Sequence, residues 1–301
     1  MKNKSKVLIV GGTGFLGYHL CKAFLKKKWT VLSLSLKLPI RLRKLKGVKY
    51  YLGNISKERE IRFLENQEIE YIINCGGYVD HYNKIQTYNS HVKGCKNLIN
   101  IFSKKKIKTY IQIGSSMEYG LVRSPQKENY KEKPVGSYGK YKLLASKFLR
   151  RNKKSFPFVI LRLYQVYGPN QSNNRLIPFV INSCLKKKNF PCSDGNQLRD
   201  FLYVDDFVKS VIKALNNKKC YGETINIGEG KPVKLKKIIK SINNYLRYGN
   251  PQFGKAQMRK GEQKKVFPSI KKASKYLGWK PKINFITGIK KTIKFYKSLN
   301  R

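Results

Sequence analysis

Gly11-Gly12-Thr13-Gly14-Phe15-Leu16-Gly17 directly follows the apolar run at 6–10 and opens a helical stretch. Glycines at this spacing allow a tight turn, close backbone approach to a pyrophosphate, and tight packing of helix on strand. The helix N-terminus adds free N–H groups and a partial positive charge for the phosphates. Tyr138 and Lys142 are four residues apart and share one helix face. An ammonium beside a phenol stabilises tyrosinate, which suits Tyr138 to acid/base work, and the same lysine could bind a nicotinamide ribose. The spacing recurs at Tyr18/Lys22 and Tyr276/Lys280. Context separates them. Only Tyr138 opens a helix shortly after Gly114-Ser115-Ser116, which ends a predicted strand, and ligands bind at the C-terminal edge of parallel sheets.

The elements that must position these groups alternate. Strands are predicted at 6–10, 30–36, 48–55, 70–77 and 108–116, with helices such as 18–28 and 93–105 between them. Continuous apolar runs such as KVLIV suit central strands covered on both faces. The fold class is therefore α/β, a Rossmann-type doubly wound parallel sheet. After residue 168 the rhythm changes. Residues 168–178 read as loop, 179–188 as helix, 201–217 as a strand entering a helix, and 223–230 as a short strand. Helices follow at 234–247, 269–277 and 286–298. Residues 1–168 are expected to form the dinucleotide-binding domain, with 201–228 returning to it. Residues 169–200 and 229–301 would form a smaller, interleaved C-terminal substrate-binding α/β region.

Composition narrows the function classes. The chain has 65 Lys+Arg against 16 Asp+Glu, a formal charge of +49. That balance ordinarily points to nucleic acid or an anionic membrane. Here lysine predominates and is spread along the chain in short runs, which argues against a dedicated nucleic-acid surface. Attraction of anionic substrates is a by-product. The six cysteines and three histidines show no zinc-ligand spacing, so no structural metal is expected. No stretch approaches the roughly 20 apolar residues of a membrane span, and the N-terminal apolar run is too short for a signal peptide. Reduced thiols and a cytoplasmic location are expected.

The second predicted strand lacks the acidic residue that often binds the adenosine ribose. It carries Ser33 and Ser35, followed by Lys37, Arg41 and Arg43. Without a carboxylate, a 2′-phosphate meets no repulsion and nearby cations could attract it. The cofactor is NAD or NADP, with the balance toward NADP, although cations near any loop are expected in so basic a chain.

GGTGFLG, GSSMEYG (114–120), SYGKYK (137–142), LRLYQVYGP (161–169) and RDFLYVDD (199–206) occur in this order across nearly the whole chain. Together they closely resemble the extended short-chain dehydrogenase/reductases, the NAD-dependent epimerase/dehydratase family acting on nucleotide sugars. The resemblance implies that Ser115 hydrogen-bonds a substrate oxygen, that Tyr138 is the acid/base, and that Lys142 is its electrostatic partner. It implies cofactor contacts from Gly11, Gly14, Phe15, Leu16, Gly17, Ser33, Lys37, Asn54, Ile55, Cys75, Gly76, Gly77, His91, Tyr138, Lys142 and Tyr164. Arg199 and Arg259 match positions that hold the nucleotide diphosphate, where a forked guanidinium suits the anion. Asn174 or Arg175 falls where an Asn often contacts it, the register being ambiguous by one. A homodimer through helices of the first domain is also implied.

Several residues depart from the family pattern. Ser116-Met117 replace the Asp-Glu pair of the sugar 4,6-dehydratases, which removes an acid for water elimination. Asn54, followed by Ile55, replaces an Asp near the adenine. His91 replaces an Asn and could hydrogen-bond near the cofactor or simply pack, the second being favoured. Gln165 replaces an Asn that often meets the sugar. The expected function is an NAD(P)-dependent nucleotide-sugar epimerase or 4-keto reductase. The alternatives are a 4,6-dehydratase, disfavoured by Ser116-Met117, and a non-catalytic dinucleotide- or RNA-binding relative.

Overall fold

The structure, a computed structural model, describes residues 4–79, 83–153, 156–257 and 262–299. Its first strand, Lys6–Val10 (β1), is apolar at both parities because it is covered on both faces. Val7 and Ile9 join one core cluster with Leu20 and Phe24 of the helix Phe15–Lys26 (α1). Leu8 and Val10 join a second cluster with Leu98 and Phe102.

The chain continues through Thr30–Ser35 (β2), Val48–Leu52 (β3), Glu58–Ile61 (α2), Tyr71–Asn74 (β4), Lys84–Tyr88 (α3), a π-helical turn at Asn89–Lys93, Gly94–Ser103 (α4), Thr109–Ser115 (β5), Gly136–Arg151 (α5) and Phe158–Leu163 (β6). Then come Gln165–Tyr167 (β7), Leu176–Leu185 (α6), Asn189–Cys192 (β8), Leu198–Arg199 (β9), Phe201–Tyr203 (β10), Val204–Ala214 (α7), Thr224–Ile227 (β11), Val233–Lys234 (β12), Leu235–Leu246 (α8), Asn250–Phe253 (β13), Lys265–Val266 (β14), Lys271–Leu277 (α9) and Phe285–Leu299 (α10).

The main sheet has the order β11-β6-β5-β4-β1-β2-β3, and every neighbouring pair is parallel. The order runs one way from β1 to β3 and the other way from β4 outward. The switch point lies between β1 and β4, where doubly wound sheets open a crevice. β11 enters the sheet at its edge, with Thr224 opposite Ile160 of β6. Small sheets pair β10 with β7, β13 with β8, and β9 with β12 and β14. β10, leading straight into α7, is the strand expected at the start of 201–217, whereas β7, β8, β9, β12, β13 and β14, of two to four residues, are too short to show a period in the sequence. α6 begins at Leu176, inside the stretch expected to be loop. Pro178 sits in its first turn, where a missing N–H costs nothing.

The core of the second half is continuous with one face of the sheet. Ile177 and Ile181 of α6, Ile238 and Ile242 of α8, and Ile289 and Ile293 of α10 belong to the same cluster as Val7 and Ile9. Asp206, buried on α7, accepts the backbone N–H groups of Lys282 and Ile283 at 2.8 and 2.7 Å, which ties the segment before α10 to the body.

A buried ionic network underlies the end of β5. Glu118 accepts the Ser115 N–H at 2.8 Å, the Ser146 hydroxyl of α5 at 2.8 Å and the Arg162 Nε of β6 at 2.9 Å. Arg162 also donates to Glu132 at 2.7 Å, and its guanidinium lies 4.5 Å from the centroid of the Tyr119 ring. Burial opposes the Arg162 charge, but Glu118 overrides it and holds the group above the ordinary arginine range. Removing one member of a buried pair strands the other charge. Glu118→Gln is expected to lower stability by about 3 kcal/mol in urea unfolding, whereas the surface change Glu58→Gln should be within about 0.5 kcal/mol of the parent.

Candidate active site

The segments that follow β1, β4, β5 and β6 line one cleft of about 580 Å³ at the C-terminal edge of the sheet. Gly11, Gly14, Phe15, Leu16 and Gly17 form one wall, and Cys75, Gly76 and Gly77 adjoin them across the switch point. A Cβ on Gly17 would stand 2.2 Å from the Gly11 carbonyl oxygen, so the turn closes onto α1 only with glycine there. α1 has no side-chain cap and no acidic residue in its first turn. Its N-terminal N–H groups and positive end are thus available to an anion. These features fit a dinucleotide pyrophosphate.

Ser115, Tyr138 and Lys142 all line this one cleft. Ser115 ends β5 and its Oγ accepts the Met117 N–H at 3.2 Å, in the first turn of a short 3-10 helix. Tyr138 and Lys142 stand one turn apart on α5. A Cβ on Gly139 would lie 2.4 Å from the Met117 carbonyl oxygen, so glycine lets α5 seat directly on the turn after Ser115. Lys142 is buried, and its Nζ donates to the Ile113 carbonyl at 2.7 Å, which aims the ammonium at the strand end.

His91, on the π-helical turn, lines the cleft and packs edge to face on Tyr138 with ring centroids 5.3 Å apart. Its Nε2 lies 3.1 Å from the Tyr78 carbonyl, which selects the Nε2–H tautomer, and Nδ1 is buried with no partner among the described residues. Burial, reinforced by the Lys142 charge, pushes His91 from 6.5 down to about 2. The ring beside Tyr138 is therefore neutral.

The adenosine end differs from the simple expectation. Ser33 is fully buried under the glycine turn, where its Oγ would meet a Cβ on Gly12 at 2.3 Å, so it packs rather than lines the cleft. Lys37 is exposed and does not line the cleft either. Arg43 does line it, and donates to the Thr13 carbonyl at 3.4 Å and the Asn170 carbonyl at 2.6 Å. Ser35 Oγ accepts the Thr13 N–H at 3.3 Å. Asn54 folds onto its own loop, accepting from the Ser56 N–H and hydroxyl at 2.9 and 2.8 Å, and Ile55 packs into the core beneath Gly94. Neither lines the cleft, because both side chains are already used in holding the loop after β3.

Tyr164, Gln165, Arg175 and Arg199 line the same cleft. Of the two residues before Leu176, Arg175 lines the cleft, whereas Asn174 is exposed and does not. Arg199 pairs with Glu262 at 2.5 Å, while Asp200 beside it turns inward to the N–H groups of Glu229 and Gly230, each at 2.7 Å. Arg259 lies outside the described residues. The sequence pattern did not single out Met117, Gln171, Glu262 or Gln263 as site residues, although all line the cleft. Only Glu262, a carboxylate in a chain with few of them, carried a signal that could have marked it.

Residues 7–228 match the NAD dependent epimerase/dehydratase family. The chain belongs to that family. It is 28% identical to the uncharacterized UDP-glucose epimerase YtcB of Bacillus subtilis, over 98% of both chains. It is 27% identical to a putative UDP-glucose 4-epimerase of Methanocaldococcus jannaschii, over 98% of this chain and 99% of that one. Among solved structures, a UDP-glucose 4-epimerase with UDP-glucose from Thermotoga maritima superposes with a TM-score of 0.92 at 21% identity, covering 98% of this chain and 100% of that one. That likeness is one of fold. A UDP-glucuronic acid 4-epimerase from Bacillus cereus, in complex with NAD and a UDP-sugar analogue, superposes with a TM-score of 0.89 at 25% identity, covering 98% and 99%. The chain is thus an enzyme of the epimerase/dehydratase kind, built as an extended short-chain dehydrogenase/reductase.

The His91 environment has a pH signature. Unfolded, the imidazole takes a proton below about pH 6.5; folded, it stays neutral down to about 2. Its contribution to stability is therefore fully present above 6.5 and is lost as pH falls toward 2. Urea unfolding at about pH 7.5 and about pH 5.5 should show the parent losing about 1 kcal/mol more than His91→Asn over that interval.

Proposed function

We propose that this enzyme acts on a nucleotide-linked sugar as an NAD(P)-dependent epimerase or 4-keto reductase, with Tyr138 as the acid/base. The observation that carries the reading is the convergence of Ser115, Tyr138 and Lys142 in one cleft, between a pyrophosphate-fitting glycine turn and two arginines. The full-length relatives named as UDP-glucose epimerases support the substrate class. When bound, the nicotinamide dinucleotide donates or accepts hydride. Gly11 to Gly17 and the α1 N-terminus hold its pyrophosphate, and Lys142 holds the nicotinamide ribose. Tyr138 takes or returns the proton of the sugar hydroxyl while Ser115 orients that oxygen. Arg175 and Arg199 grip the diphosphate. Glu262 occupies the Arg199 guanidinium in its place, so substrate must compete with that carboxylate.

Ser116 and Met117 disfavour 4,6-dehydration, because neither side chain can supply a carboxylic acid. A non-catalytic dinucleotide- or RNA-binding role would have no use for a tyrosine and a buried lysine paired beside Ser115. The cofactor reading inclines to NADP. Arg43 lies over the glycine turn, and the end of β2 carries Ser33 and Ser35 in place of a carboxylate. A homodimer fits the side chains of Ile85, Tyr88 and Leu144, exposed on α3 and α5.

Purified protein should convert at least one of a panel of UDP-, GDP-, CDP- and dTDP-sugars. Conversion without net NADPH consumption marks an epimerase, and stoichiometric consumption marks a reductase. Tyr138→Phe should cut turnover by about 100-fold or more with unchanged unfolding behaviour, and unimpaired turnover would remove the acid/base assignment. Arg43→Ala should weaken NADPH binding by about tenfold in fluorescence titration and leave NADH binding nearly unchanged. Equal losses for both would overturn the NADP preference.

A further inference from the structure

The segment joining β2 to β3 carries Leu36, Leu38, Ile40 and Leu42 at every second position, exposed by 68%, 63%, 58% and 48%. A single exposed leucine is ordinary on a soluble protein, but a row of four is not. Among and after them stand the exposed Lys37, Arg41, Lys44 and Lys46, and no Asp or Glu occurs from 36 to 46. The apolar row and the cations therefore belong to one strip of chain. Leu45, between Lys44 and Lys46, turns the other way and packs on the core, and its N–H is bonded to Tyr50 Oη at 2.9 Å. This anchors the strip without covering the row.

We infer that residues 36–46 form a docking strip for an anionic lipid surface, with the aliphatic side chains seated at the acyl boundary and the cations against the headgroups. Membrane-surface binding grows with apolar area buried at the interface and with attraction to anionic lipid. The strip supplies both, within a chain of charge +49. Its chemistry fits lipid better than the other anionic partner, nucleic acid. No aromatic residue lies between 36 and 46 to stack on a base, and aliphatic side chains gain nothing from phosphate. A second copy of the chain fits poorly, because facing strips would set four exposed cations against four. The association is peripheral, since no helix among the described residues is long and apolar enough to cross a membrane. Arg43 belongs to the strip and lines the cleft, so docking would bring the cofactor end of the cleft close to the bilayer. This inference stands apart from the reaction catalysed.

The test keeps every charge and removes only apolar surface. The parent should co-sediment with phosphatidylcholine vesicles containing phosphatidylglycerol and not with pure phosphatidylcholine, at physiological ionic strength. The triple variant Leu38→Ser, Ile40→Ser, Leu42→Ser should bind the anionic vesicles about tenfold more weakly while unfolding like the parent. In Leu38→Trp, the emission of the added indole should shift to the blue with anionic vesicles only. Equal binding by parent and triple variant, or no blue shift, would reduce the association to bulk charge and overturn the proposal. It would also be overturned by RNA binding tighter than vesicle binding and weakened by the triple variant, or by vesicle-independent self-association that the same variant abolishes.

Discussion

Glu118 has no contact with water, and its carboxylate joins three pieces of the fold at once. It accepts the Ser115 N–H at the end of β5, the Ser146 hydroxyl on α5 and the Arg162 guanidinium on β6. A buried carboxylate must be paired, because leaving it alone costs several kcal/mol. Its partners are consequently held in fixed relation, and those partners carry the site. Ser115 is the first residue of the Glu118 turn, Tyr138 and Lys142 are on the Ser146 helix, and Tyr164 and Gln165 follow the Arg162 strand. The ionic group lies under the cleft, and the polar side chains of the cleft are placed by it.

Above that foundation the cleft makes different demands along its length. At the glycine turn, backbone N–H groups are open to an anion, whose close approach requires the absence of Cβ atoms. Elsewhere in the cleft the cations are guanidinium groups, of which Arg199 is paired with Glu262. On the ring packed against Tyr138 there is no charge, because His91 is held neutral by burial, while Lys142, one turn along the same helix, is buried with its ammonium on the Ile113 carbonyl.

The charge of the chain also follows from where its few acids go. Glu118 and Asp200 are fully buried, and Glu132 is mostly so, each spent on arginine or on backbone N–H groups. These carboxylates do not offset surface lysines. The exterior is therefore more uniformly cationic than the composition by itself indicates, and the strip after β2 is one place where that field meets exposed aliphatic carbon.

Sequence alone determined the αβ alternation, the glycine turn and the Ser–Tyr–Lys set, because each is a local pattern. A covered strand is apolar at both parities, a pyrophosphate turn requires glycines at fixed offsets, and residues four apart share a helix face. Arg162, set in the apolar run FVILRL, and Glu118, next to Tyr119, were visible as charges in apolar surroundings, but their pairing was not, since 44 residues separate them. Likewise only the tertiary structure decided that Arg43 rather than Lys37 lines the cleft, that Asn54 is consumed by its own loop, and that Arg175 rather than Asn174 lines the wall. Such choices turn on which way a side chain leaves a loop, and that direction is set by packing against segments far away in the chain, which a local pattern cannot encode.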